Sequence, residues 1–134
     1  VGSYVTAVQT GNLVFTSGAL PMRDGQLMLT GRCGEGEISM EAAREAARQC
    51  ALNAVAVLKQ HLGDLSRVRR VVKVVGFVSS HPDFYQQPAV INGASDLLVE
   101  IFGEAVGKHA RSAVGVSALP MNAPVEVELT VEVA

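Results

Sequence analysis

Two residues near the end of the chain, Arg111 and Glu126, are of types that can do chemistry together. A guanidinium offers a planar fork of N–H donors that grips a carboxylate through two parallel bonds. A nearby carboxylate can hold a water or take its proton. The pair reads as the charged parts of a small-molecule site, with Arg111 for an acidic substrate and Glu126 for the attacking water. The competing reading is plain: an arginine at a strand start can be a surface residue, or the ion-pair partner of a glutamate on the last strand.

Other chemistries find less support. His61, His81 and His109 share no metal-ligand spacing with each other or with Cys33 and Cys50, so no metal is expected. No Gly-x-Ser-x-Gly is present and no pattern pairs Cys33 with a histidine, which disfavours covalent catalysis. The loop 31–37 has three glycines, but no Gly-Lys-Ser/Thr follows and it carries Glu35 and Glu37. It reads as a flexible surface connection rather than a phosphate cradle, with Cys33 exposed on it.

The elements that must position these residues follow from periodicity. Residues 4–9 and 13–17 read as strands joined by the turn Thr10-Gly11-Asn12, and 27–30 as a third short strand. Ser39 is a good N-cap for a helix ending at Gly63, with Ala43, Ala46, Ala47, Cys50, Ala54, Val55, Leu58 and Leu62 on one stripe. The Val-rich run 68–79 suits a long central strand buried on both faces. A second helix begins near Pro88 and ends near Gly103. In the last stretch, Val125, Val127, Leu129, Val131 and Val133 alternate with Glu126, Glu128, Thr130 and Glu132, as in a strand with one apolar and one polar face. The simplest pairing makes 111–118 and 125–134 a hairpin. Within it Arg111 and Glu126 would lie roughly 20 Å apart, and could share a pocket only if the strands bend or two subunits supply them.

The 134 residues, 49% hydrophobic, suit one α+β domain over 1–134, with two helices on one face of a mixed sheet. The other sheet face would be bare, so an oligomer is expected. A net charge of −2 and no basic run beyond Arg69-Arg70 argue against a nucleic-acid partner. No apolar run reaches about 20 residues, which disfavours a membrane span. No basic segment leading into an apolar run opens the sequence at Val1, so a cytoplasmic protein is expected.

Taken in order, Gly-Asn-Leu-Val-Phe-Thr-Ser-Gly-Ala-Leu-Pro (11–21), the Ala-rich helix, Val71 to Val78 followed by Phe84-Tyr85, Ala-Arg-Ser-Ala-Val-Gly-Val-Ser-Ala-Leu-Pro (110–120) and the closing Val-Glu-Val-Glu resemble the Rid, or YjgF-like, family of reactive intermediate deaminases. Some of its members carry an older endoribonuclease label. The resemblance covers nearly the whole chain. It implies a chorismate-mutase-like fold, a homotrimer with clefts between subunits, and cofactor-free hydrolysis of 2-imino acids to 2-keto acids and ammonia. It implies that Arg111 grips the substrate carboxylate with the Gly18 amide, that Glu126 positions the water, and that Tyr4, Ser17, Asn92 and Ala113 line the pocket. Ala113 stands where the deaminating members usually have cysteine. A longer stretch from Asn92 to Arg111 and the unusual loop 31–37 mark a divergent subgroup. The alternative is a non-catalytic trimer that binds small carboxylates; a ribonuclease is the third and least supported reading.

Overall fold

The computed structural model describes residues 2–134. Strands β1 (Ala7–Thr10) and β2 (Leu13–Thr16) form the first hairpin, and β3 (Met22–Arg23) and β4 (Gln26–Leu27) form a small separate ribbon. Helix α1 (Met40–Leu62), strand β5 (Val68–Ser79), helix α2 (Gln87–Gly107), strand β6 (Ala110–Val116) and strand β7 (Val125–Val133) follow. The main sheet runs β1-β2-β7-β5-β6.

Local chemistry places the helix ends. The Ser39 hydroxyl accepts from the Ala42 N–H at 3.1 Å, and Gly63, at φ 84°, donates its own N–H to Lys59 O. The first matches the expected cap, the second the expected stop. In α2, Gly103 leaves helical geometry (φ 83°, ψ 169°) where the helix was expected to end, but the chain winds on to Gly107. The third strand expected over 27–30 is instead the β3–β4 ribbon, turned by Asp24 and Gly25 at positive φ.

One expectation fails in an instructive way: the hairpin of 111–118 with 125–134 does not exist. Strand β5 lies between β6 and β7, pairing parallel with β6 and antiparallel with β7. The parallel β5–β6 step requires a crossover, and α2 supplies it. Helix α2 therefore packs on β5 and β6 while α1 packs on β7, both on one side of the sheet.

The sheet has two unlike faces. Val125, Val127, Leu129, Val131 and Val133 of β7 are buried beneath the helices with Val71, Val74 and Val78 of β5. The intervening residues of β7 are half-buried on the other face. Register shifts at Arg69 and Val72 each add a residue to β5, which lets Val68, Val71 and Val74, spaced by three, all face the core. Strand β5 is thus buried on its helix face only: Val72 is exposed, and Val75 and Phe77 are half-buried. Exposed Val8, Phe15 and Val114 add to an uncovered, partly apolar surface.

The loop 31–37 also departs from its expected role. Cys33 is fully buried; its N–H donates to Ser79 O and its carbonyl accepts from the His81 N–H. Glu37 accepts from the Arg32 N–H and bonds His81 Nε2. The loop is fastened to the end of β5, which takes Cys33 out of solvent.

The helices approach closely at Gly93, where a β-carbon would run into the backbone carbonyl oxygen of Arg44. Backbone cannot yield as a side-chain tip can. Gly93→Ala is expected to destabilise the fold by about 1–3 kcal/mol through overpacking, read as a lower urea midpoint. An unchanged midpoint would show that α1 and α2 can separate at no cost.

Candidate functional site

The residues singled out in the sequence gather in two places. Arg111, near the start of β6, pairs in register with Val74 and so points to the helix side of the sheet. There its Nη1 donates to Asn92 Oδ1 at 2.8 Å and to Ser95 Oγ at 3.3 Å. Asn92 and Ser95 are three apart on α2 and share one helix face. With Asp96, Val99, Lys108 and His109 these residues line an open cavity of about 260 Å³. Ala113, two residues beyond Arg111, lies on the same face and packs against the core.

Tyr4, Ser17 and Gly18 form the second group. Together with Thr6, Leu20 and Asn53 they line a cavity of about 280 Å³ near the other end of the sheet. Here β2 leaves its ladder. Phe15 pairs with Thr130, Ala19 re-pairs with Val127, and Thr16 Oγ1 accepts the Leu129 N–H between them. The Ser17-Gly18 step therefore arches away from β7, held by Ser17 Oγ donating to Val5 O at 2.6 Å. Glu126 lies against Gly18: a β-carbon on Gly18 would collide with the Glu126 carboxylate. The glycine is needed for the close approach rather than merely to end a strand.

Arg111 and Glu126 do not meet within one chain. Glu126 pairs with Phe77, and Phe77 with Val114, so the two residues are separated by two strand spacings and three residues of strand. That is about 10 Å in each direction, and their side chains leave opposite faces. Of the two arrangements left open by the sequence, a shared pocket within one chain is excluded.

Electrostatics distinguishes Glu126 from an ordinary surface glutamate. Burial, and then the charge of Glu128, push its carboxyl above the usual range. That moves it toward the range useful to a general base. His109 is shifted down, chiefly by burial; the Gly107 carbonyl opposes this, while the charges of Arg111, Lys108 and Arg70 add to it. Burial, then Glu37, pushes the Cys33 thiol up to about 11, and burial pushes Cys50 up as well. Neither thiol is a ready nucleophile. Among the described residues no group of three His, Cys, Asp or Glu could hold a metal ion, and no helix is long and apolar enough to cross a membrane.

Ser95 and His109 were absent from the residues expected at the site, and His109 entered only as a possible metal ligand. A local signal existed: His109 and Arg111 are two apart in an extended segment, so they face the same way. The partner on α2 could not be read without the crossover.

Known proteins bear on this geometry. The profile of the family described as "YjgF/chorismate mutase-like, putative endoribonuclease" matches residues 1–133. Protein TCP17 of Trypanosoma cruzi is 48% identical over 130 residues, covering 97% of this chain and 81% of that protein. A 2-iminobutanoate/2-iminopropanoate deaminase of Dermatophagoides farinae is 36% identical over 128 residues, 96% of this chain and 84% of that one. The crystal structure of protein Atu1372 from Agrobacterium tumefaciens superposes with a TM-score of 0.94 at 47% identity, over 98% of this chain and 82% of that chain.

The raised Glu126 carboxyl carries a stability consequence. A carboxyl whose folded pKa lies above its unfolded value favours the fold below the unfolded pKa, and that contribution is lost as pH rises through the folded pKa. Glu126→Gln removes the titration. It is expected to raise Tm at pH 7, with the gain shrinking as pH falls from the raised folded value towards 4.5, the ordinary value for the group, and absent below it. A variant equally or less stable at pH 7 would show that Glu126 is not strained by burial.

Proposed function

The chain belongs to the YjgF/chorismate-mutase-like family, and on that premise we propose that it hydrolyses 2-imino acids to 2-keto acids and ammonia in clefts between copies of itself, as a homotrimer needing no cofactor. The observation that carries the proposal is the division of the expected residues. Arg111, Asn92 and Ala113 lie on the helix side at the β6 edge, whereas Glu126 stands against Gly18 on the uncovered face. Only a neighbouring copy can bring such halves together. The exposed edge of β6 and the uncovered apolar side chains suit that contact. The 36% identical mite protein, named as an imine deaminase, supports the reaction class.

In the cleft, Arg111 of one copy takes the substrate carboxylate. Glu126 of the next, against Gly18, whose cavity Ser17 and Tyr4 also line, holds a water against the imine carbon. The water oxygen bonds to that carbon as Glu126 accepts a proton. The proton passes to nitrogen, the C–N bond breaks, and ammonia leaves a ketone: R–C(=NH)–COO⁻ + H₂O gives R–C(=O)–COO⁻ + NH₃. Ala113 needs no side-chain chemistry in this scheme. The acidic balance of the chain, with net charge −2, favours a small acid over RNA as partner.

A second reading has one observation in its favour: the Arg111 cavity is formed within a single chain, without Glu126. A trimer that only binds small carboxylates would use it alone. One assay separates the two. A threonine dehydratase generates the imine, a scavenger competes for it, and keto-acid release is followed. Wild type is expected to accelerate release. Arg111→Ala should lose about a hundredfold in kcat/KM, as for a charged double hydrogen bond removed, and Glu126→Gln should lose about a hundredfold or more in kcat, as for a general base. No acceleration by wild type, or equal acceleration by Arg111→Ala, sinks the deaminase reading, and light scattering that shows a monomer sinks the shared cleft.

A further inference from the structure

Hydrogen bonding around Arg111 extends one layer behind the residues that the reaction uses. Ser95 Oγ lies 3.3 Å from Arg111 Nη1 and 2.9 Å from His109 Nε2, while His109 Nδ1 lies 2.6 Å from Gly107 O. The proton positions follow from the donor inventory. Arginine can only donate, so Ser95 Oγ accepts from Nη1. The hydroxyl keeps one proton, which a bare His109 Nε2 would accept, and a second lone pair, which a protonated Nε2 would use. The Gly107 carbonyl can only accept, so Nδ1 carries a proton. Two ring states satisfy every partner, both with a proton on Nδ1: the neutral ring, and the ring protonated on both nitrogens. Arg111, Lys108 and Arg70 lie close enough for their charges to oppose the second proton, which favours the neutral ring, although Asp96 lines the same cavity.

This arrangement occupies one end of the guanidinium. Asn92 and Ser95 take both N–H groups of Nη1. Among the described residues no hydrogen bond reaches Arg111 Nε or Nη2. Those two nitrogens form the side-on edge whose parallel N–H groups match the two oxygens of a carboxylate. We propose that Ser95 and His109 are positioning residues: together with the Gly107 carbonyl they hold Nη1 from behind, so that the Nε–Nη2 edge of Arg111 is presented to the ligand carboxylate. The proposal rests on the reading that Arg111 grips the substrate carboxylate. It adds the residues that aim it.

The Gly107 carbonyl is suited to anchor the chain of bonds. It ends α2, and Gly107 is itself buried with no room for a side chain, because a β-carbon would press on the Leu98 carbonyl and Val99 Cα. Helix end, histidine, serine and arginine thus form one continuous path from rigid backbone to the ligand-facing edge. A guanidinium left unheld would rotate about its side-chain torsions, and binding would have to order it.

Two measurements test this. In long-range ¹H–¹⁵N spectra of the ring nitrogens at pH 7, one histidine, absent in His109→Gln, is expected in the neutral Nδ1–H form. The neutral Nε2–H form would overturn the network without reference to activity. Then pyruvate is titrated into wild type and variants, and imine hydrolysis is followed in parallel. Ser95→Ala and His109→Ala are expected to weaken pyruvate binding and raise KM by about five- to tenfold, with kcat within about twofold, since loss of carboxylate binding alone moves KM. Ser95→Thr, which keeps the hydroxyl, should restore binding. In an Arg111→Ala background, Ser95→Ala should have no further effect. Variants that bind pyruvate as wild type does would overturn the positioning role and leave the Arg111 site intact. A wild type that binds no carboxylate would overturn both readings.

Discussion

The antiparallel pairing of β5 with β7 at the middle of the sheet is the constraint on which the rest of the molecule depends. Strand β7 alternates strictly, and its five apolar residues from Val125 to Val133 are buried under the helices. With one face buried, a one-residue slip would send five apolar side chains outward and the carboxylates into the core, so the register is fixed. Fixing it fixes Glu126 on the uncovered face opposite Phe77. Strand β5 tolerates more irregularity. Its two bulges absorb the extra residues at Arg69 and Val72 and still deliver Val68, Val71 and Val74 to the core.

From that pairing the separation of the functional residues follows without further assumptions. Because β7 occupies one side of β5, the strand after α2 can add only on the other, in parallel, as the outer edge. Arg111 stands near the start of that edge strand, under α2, where Asn92 and Ser95 reach it. The helix that makes the crossover possible is the same one that holds the arginine. Glu126 is held by another part of the chain, the arch of Ser17 and Gly18 where β2 leaves the ladder. Neither half depends on a flexible loop. Each is placed by a strand register and by the residues packed against it, which suits the assembly proposed above, since each half must be in shape before two copies meet.

Much of the fold was legible because its signals are local. The cap at Ser39, the stop at Gly63, the alanine stripe of α1, the full span of β5 and the alternation of β7 are all written in periods of two or three to four residues. Strand order was not legible. Residues 111–118 and 125–134 are neighbours in sequence joined by a turn-like segment, and nothing local says that β5 lies between them. The buried loop around Cys33 was missed for a related reason. Its glycines and glutamates look like surface chain, and the groups that fasten it, Ser79 and His81, come from the far end of β5. Arg111, Glu126 and Gly18 could be singled out in the sequence with the help of the resemblance, and the structure sets Glu126 against Gly18 but apart from Arg111. The Ser95–His109 support was not, because it joins two elements whose contact is set by the crossover.

Three glutamates share the uncovered face of β7, and their surroundings are not equivalent. Glu132 is engaged by Asn12 Nδ2 at 3.2 Å, and it sits beside β2 where the ladder is intact. Glu128 lies opposite Val75 in the central pair. Glu126 lies just past the point where Ala19 rejoins β7 at Val127, with its carboxylate against Gly18, a residue with no side chain to cover it. Burial raises its affinity for a proton. A general base needs such a proton affinity, not too far below that of the group it serves, as well as room for a water between it and the substrate. Glu128, two residues along the same strand, has the same intrinsic chemistry, but it is the Glu126 carboxylate that lies nearest Gly18. The close approach of the Glu126 carboxylate to the chain after β2 therefore depends on the absence of a β-carbon at Gly18.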